Sequence, residues 1–113
     1  MPSDKVVACC AAVQATFGAD STEVVEVANF NDPGQTVISG SKLAVERACE
    51  ALKAEGARRA MLLPVSAPFH CSLMRPAAEK LRAALDDIDM QAPRIPLINN
   101  VDVAIEVDAD KIR

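Results

Sequence analysis

The chain has 113 residues, a formal net charge of -4 and an apolar half that includes only three aromatic residues, all Phe. That length suits one small domain whose core is built from Val, Leu, Ile, Ala and Met. An acidic chain with scattered Arg and Lys and few stacking rings lacks the basis for gripping nucleic acid. No run approaches the roughly 20 apolar residues that cross a bilayer, and Met1-Pro2-Ser3-Asp4 does not begin like a signal segment, so a cytoplasmic protein with no membrane partner is expected.

Ser3 is placed to cap a helix with Asp4 in its first turn, and Val6, Cys10, Val13 and Phe17 recur along one face until Gly18. Glu23 to Phe30 reads as a strand and Gln35 to Ser39 as a second. Asn31-Asp32-Pro33-Gly34 joins them in a hairpin, with Pro33 preset for one turn position and Gly34 free to take positive φ in the next. Gly40-Ser41 opens a second helix that buries Val45, Ala48, Cys49 and Leu52, turns Glu46, Arg47, Glu50 and Lys53 to water, and stops at Gly56. Ala60 to Val65 has the length and apolarity of a strand that closes near Pro64. A third helix follows His70, tolerating Pro76 in its first turn and aligning Leu73, Ala77, Leu81, Leu85 and Ile88. After the break at Ala92-Pro93-Arg94, Ile95 to Val101 reads as a strand buried on both faces. The tail from Asp102 to Arg113 is acidic and weakly patterned.

Helix, strand, strand, helix, strand is a ferredoxin-like order with its opening strand missing. That strand is interior to the sheet, so its absence leaves unpaired edges. Ile95 to Val101 is expected to fill the place, or two chains to exchange strands, so that the isolated segment self-associates.

His70 is the only histidine. It lies between a strand-like and a helix-like run, where mixed folds place their chemistry, and imidazole alone among side chains titrates near neutrality unaided. The open N-terminus of the following helix gives a partly positive setting that favours the neutral ring, a base. Asn99 and Asn100, ending another strand, would share that crevice if the two strands are neighbours. No Gly-x-Ser-x-Gly elbow supplies a nucleophile, and Cys71 diverges from its neighbour His70. Cys9, Cys10, Cys49 and Cys71 lack metal-site spacing and read as reduced, core-filling thiols. Arg75 could grip a carboxylate but sits on an exposed helical turn.

Val27-Ala28-Asn29-Phe30-Asn31-Asp32-Pro33-Gly34-Gln35-Thr36-Val37-Ile38-Ser39-Gly40, Ala44-Val45-Glu46-Arg47-Ala48, Leu63-Pro64-Val65-Ser66-Ala67-Pro68-Phe69-His70 and Asn99-Asn100-Val101-Asp102 follow in an order that resembles the malonyl-CoA:acyl carrier protein transacylase family of bacterial fatty acid synthesis. The resemblance implies residues 1–65 as an incomplete ferredoxin-like small subdomain. Residues 66–113 would be a piece of a large subdomain like an α/β-hydrolase core. It implies a cofactor-free two-step exchange in which a serine takes malonyl from coenzyme A and passes it to the phosphopantetheine thiol of acyl carrier protein. His70 matches the family's base for that serine and acid for the departing thiol. Phe69 is similar to a pattern associated with choosing malonyl over bulkier units. The nucleophile, the arginine for the malonyl carboxylate and an oxyanion-hole glutamine would precede this stretch, and a glycine-rich segment that orients the histidine would follow it. The segment alone is therefore expected to be inactive, the intact form a monomer, and Arg58, Arg59, Arg75 and Arg82 the residues available to an acidic carrier protein. A non-catalytic ferredoxin-like binding module is the alternative.

Overall fold

Val6, Cys10 and Val13 of α1 (Ser3–Ala15) meet Ala44, Ala48 and Leu52 of α2 (Lys42–Ala54) and Val25 of β1 (Val25–Asp32) in one buried cluster. The computed structural model describes residues 1–113, which form two units, Met1–Arg75 and Pro76–Arg113. This cluster is the core of the first. Ala44 and Ala48 lie one turn apart on the same side of α2, and neither exposes any surface. With no side chain beyond Cβ, they let α2 pack closely into the cluster. Each Val or Leu buried there contributes about 1.5–3 kcal/mol.

β2 (Gln35–Gly40) runs antiparallel to β1, with Val25 opposite Gly40 and Asp32 opposite Gln35, and the register shifts between Val27 and Asn29 and again between Phe30 and Asp32. At the Pro33-Gly34 turn, Gly34 does not use its freedom to take positive φ. The Asp32 carboxylate instead accepts from the Gly34 N–H at 3.0 Å, an Asx bond that closes the turn without that conformation.

At the far end the chain turns directly from β2 into α2. The Ser41 N–H donates to the Val24 carbonyl at 2.8 Å, and the Ser41 hydroxyl accepts from the Val24 N–H at 3.1 Å. Ser41 thus precedes α2 without capping it by its side chain. Its hydroxyl also donates to the Glu23 carboxylate. The opposite edge of β1 is met by Gln14 of α1, whose Nε2 donates to the Glu23 carbonyl at 2.9 Å and whose Oε1 accepts from the Val25 N–H at 2.8 Å. One side-chain amide thereby pairs with two backbone groups as a neighbouring strand would.

Four expectations are corrected. Pro2, not Ser3, precedes α1, and no side chain caps it, because Ser3 is already the first helical residue. Ala60 to Val65 is irregular, and Met61, Leu62, Leu63 and Val65 are exposed. A strand exists through its ladder, and β1 and β2 pair only with each other. Ile95 to Val101 is not a doubly buried strand and does not fill the open edge. Only β3 (Leu97–Asn99) forms, and it pairs antiparallel with β4 (Ala104–Glu106), a strand inside the tail that sequence patterning left unstructured.

The second unit also holds most of α3 (Arg75–Asp86) and the short α4 (Ala109–Ile112). Pro76 stands in the first turn of α3, but the helix buries no residue, and Leu81 and Ile88 of its apolar stripe are exposed. Arg113 donates through Nη2 to the Ile88 carbonyl at 2.7 Å.

A Cβ added at Gly40 would lie 1.9 Å from the Val24 carbonyl oxygen and 2.9 Å from the Val25 Cα, both backbone atoms. Gly40→Ala should therefore destabilise the fold by about 1–3 kcal/mol in urea unfolding. Gly34→Ala, whose added carbon meets nothing nearer than 3.9 Å, should change it by no more than about 0.5 kcal/mol.

Candidate functional site

The loop that carries His70 is bent by short-range hydrogen bonds. The Val65 N–H donates to the Leu63 carbonyl at 2.8 Å and the Phe69 N–H to the Ala67 carbonyl at 3.0 Å. Pro64 and Pro68 fix φ just before each donor. His70 then takes φ 61, in the left-handed region, which costs a residue bearing a Cβ about 1–2 kcal/mol. The Cys71 thiol donates back to the Pro68 carbonyl at 3.2 Å, and the Met74 N–H to the Cys71 carbonyl at 3.0 Å. A single 3-10 turn, Ser72–Met74, leads into α3.

One carboxylate ties this loop to the hairpin. Glu26 of β1 accepts from the Ser72 N–H at 2.9 Å and from the Ser72 hydroxyl. Its negative charge offsets the partly positive setting expected at the start of the helix, because the first free N–H after Cys71 points at Glu26. Sequence reasoning missed this pair. Glu26 alternates with Val25 and Val27 and so reads as an ordinary solvent-side residue, and no local spacing links it to Ser72.

The imidazole and the Phe69 ring are both exposed, and with Ser39, Val45 and Leu63 they border an open cleft of about 1420 Å³. Enclosed small-ligand pockets run to roughly 300–1,000 Å³, so this concavity has the dimensions of a surface trough. Cys71 stands beside His70, with its thiol turned to Pro68. Arg58, Arg59, Arg75 and Arg82 are exposed.

Asn99 and Asn100 belong to the second unit and His70 to the first. Asn99 is engaged in its own hairpin: its Oδ1 accepts from the Val101 N–H at 2.7 Å and its Nδ2 donates to Asp102 at 3.3 Å. Asn100 lies in the turn. No cluster of three or more His, Cys, Asp or Glu side chains is placed to hold a metal ion.

No family model matches the chain. The malonyl CoA-acyl carrier protein transacylase of Salmonella typhimurium is 58% identical over 91 residues, 80% of this chain and 29% of that protein. An acyl-carrier-protein S-malonyltransferase from Burkholderia pseudomallei superposes with a TM-score of 0.75 at 49% identity, covering 99% of this chain and 34% of the solved one. A malonyl-transacylase solved in complex with its type II PKS acyl-carrier protein gives a TM-score of 0.78 at 46% identity, over 99% of this chain and 34% of that one. The chain thus spans about three-tenths of the curated relatives it matches.

All four cysteines are free. Burial, with smaller contributions from Cys9 and Cys49, pushes the Cys10 thiol up to about 11, and burial likewise raises Cys9 and Cys49. Because the thiolate is the nucleophile, limiting iodoacetamide at pH 8 should modify Cys10 last, and only after denaturant is added, as peptide mass mapping would record. The fold keeps Cys10 protonated where the unfolded chain would ionise. Its contribution to stability is therefore intact below about pH 9 and declines as the pH rises towards about 11. Cys10→Ala should flatten that decline in urea unfolding.

Proposed function

Because the chain belongs to the malonyl-CoA:acyl carrier protein transacylase family as a stretch of about three-tenths of its members' length, we propose that it carries the proton-transfer segment of an enzyme moving malonyl from coenzyme A to acyl carrier protein. The observation that carries this reading is the structural likeness over 99% of the chain to S-malonyltransferases, at 49% identity. The relative captured with its acyl-carrier protein supports the same partner here.

In this mechanism a serine elsewhere in the intact polypeptide attacks the malonyl thioester. His70 accepts the serine proton as the oxygen–carbon bond forms. When the carbon–sulfur bond breaks, the imidazolium returns that proton to the departing coenzyme A sulfur. The second half runs the other way: the phosphopantetheine thiol gives its proton to His70, its sulfur takes the malonyl carbon, and the serine oxygen recovers a proton. Both half-reactions balance without a resident cofactor. The left-handed backbone at His70 and the exposure of its ring beside the trough suit a group that must reach a hydroxyl from another part of the enzyme. Phe69 would shape the acyl site, and Asn99 and Asn100 would bind substrate.

The fold proposal follows the same lines. Residues 1–65 are an incomplete ferredoxin-like small subdomain whose missing first strand would run along the free edge of β2, the strand that pairs here with β1 alone. Residues 66–113 are a piece of an α/β-hydrolase-like large subdomain. The bare apolar side chains of Met61, Leu62, Leu63, Ile98 and Ile105 suit surfaces that more polypeptide covers. The intact enzyme is read as a cytoplasmic monomer, and no helix of this chain is long and apolar enough to cross a membrane.

Replacing His70 by Ala in the intact enzyme should lower malonyl transfer to carrier protein by about 10²–10⁴-fold. Asn99→Ala and Asn100→Ala should mainly raise KM. The 113-residue chain alone should acquire no malonyl label from malonyl-CoA. Undiminished transfer by His70→Ala would overturn the assignment, and labelling of the isolated chain would overturn the dependence on an external serine.

A further inference from the structure

We infer that Glu26 is a positioning residue for His70, an inference that rests on the proton-transfer reading of that histidine. The loop around His70 holds its shape with local bonds only: Phe69 to Ala67, Cys71 to Pro68 and Met74 to Cys71. Such bonds fix the curvature of the segment, not its place on the fold. The hydrogen bonds that tie the loop to a distant element both end on Glu26, 46 residues away in sequence and the second residue of β1. Both donors belong to Ser72, one backbone and one side chain, so a single carboxylate fixes the direction of the chain two residues after the imidazole.

The backbone at His70 gives that anchor a purpose. A histidine at φ 61 persists only where its surroundings over-determine it. Glu26 sits beside Val25, the hairpin residue sealed in the core, and is itself only partly exposed. The position of the carboxylate is thus set by the best-packed part of the unit. A charged acceptor gives stronger and more directional bonds than a neutral one, and the loss of such support loosens a reacting group by enough to slow chemistry without altering substrate binding.

The test uses the intact enzyme and separates chemistry from binding. Glu26→Ala should lower kcat about tenfold with KM for malonyl-CoA changed by less than about twofold. Glu26→Gln, which keeps one side-chain oxygen for the Ser72 N–H, should recover most of that loss. In a His70→Ala background, Glu26→Ala should cause no further loss, because the group it positions is gone. Should Glu26→Ala fail to fold, Ser72→Ala removes the hydroxyl bond alone and should lower kcat about two- to fivefold. Unchanged kcat in these variants overturns the inference. So does an equal fractional loss with and without His70, which marks a purely structural role. Full activity of His70→Ala would instead overturn the proton-transfer reading on which the inference stands.

Discussion

A two-stranded hairpin is marginal in water, and the first unit exists because α1 and α2 cover β1 and β2 with a small, closely packed core. Val25 is the point where that cover is tightest: its side chain is in the cluster and its N–H is held by Gln14. Ala44 and Ala48 matter as much for what they lack as for what they bury, since longer side chains at either position would push α2 away from the cluster. Gly40 serves the same close approach on the backbone side, where β2 passes against Val24 and the chain turns at once into α2.

The site inherits its order from this packing. His70 is on an exposed loop with no regular structure of its own before the 3-10 turn. What fixes the loop is Glu26, which is adjacent in sequence to the most deeply set residue of the hairpin. A rigid strand thereby supports the loop of the proposed proton-transfer group, a division of labour common to catalytic sites. It also explains how a residue in a strained backbone conformation can be held without burial.

Much of this was legible in the residues. The stripe Val6, Cys10, Val13 identified the buried face of α1, and the Pro33-Gly34 turn placed the hairpin, because helical and strand periods and turn chemistry are local signals. Ala44 escaped notice because an alanine gives little weight to an apolar stripe even when, like Ala48, it exposes no surface. Ala60 to Val65 misled for the opposite reason. Its composition is that of a strand, but pairing is a property of two segments, and no second one lies beside it. Ile95 to Val101 was expected to be one long strand, yet Asn99 folds its amide into the next turn and sends the chain back on itself. The histidine stood out in sequence by its uniqueness and its neighbours. The carboxylate and the serine that support its loop did not, since contacts across 46 residues leave no trace in local pattern.

The surface carries a consistent message. Exposed Leu62, Leu63, Leu81, Ile98 and Ile105 make the chain unusually apolar where it meets water, as suits a stretch spanning about a third of the structures it resembles. On this account one imidazole serves both directions of acyl exchange. The direct measurement is rapid-quench kinetics of the two half-reactions in intact His70→Ala: coenzyme A release on acylation and malonyl transfer to carrier protein thiol. The account predicts that both slow together; acylation at the wild-type rate would contradict it.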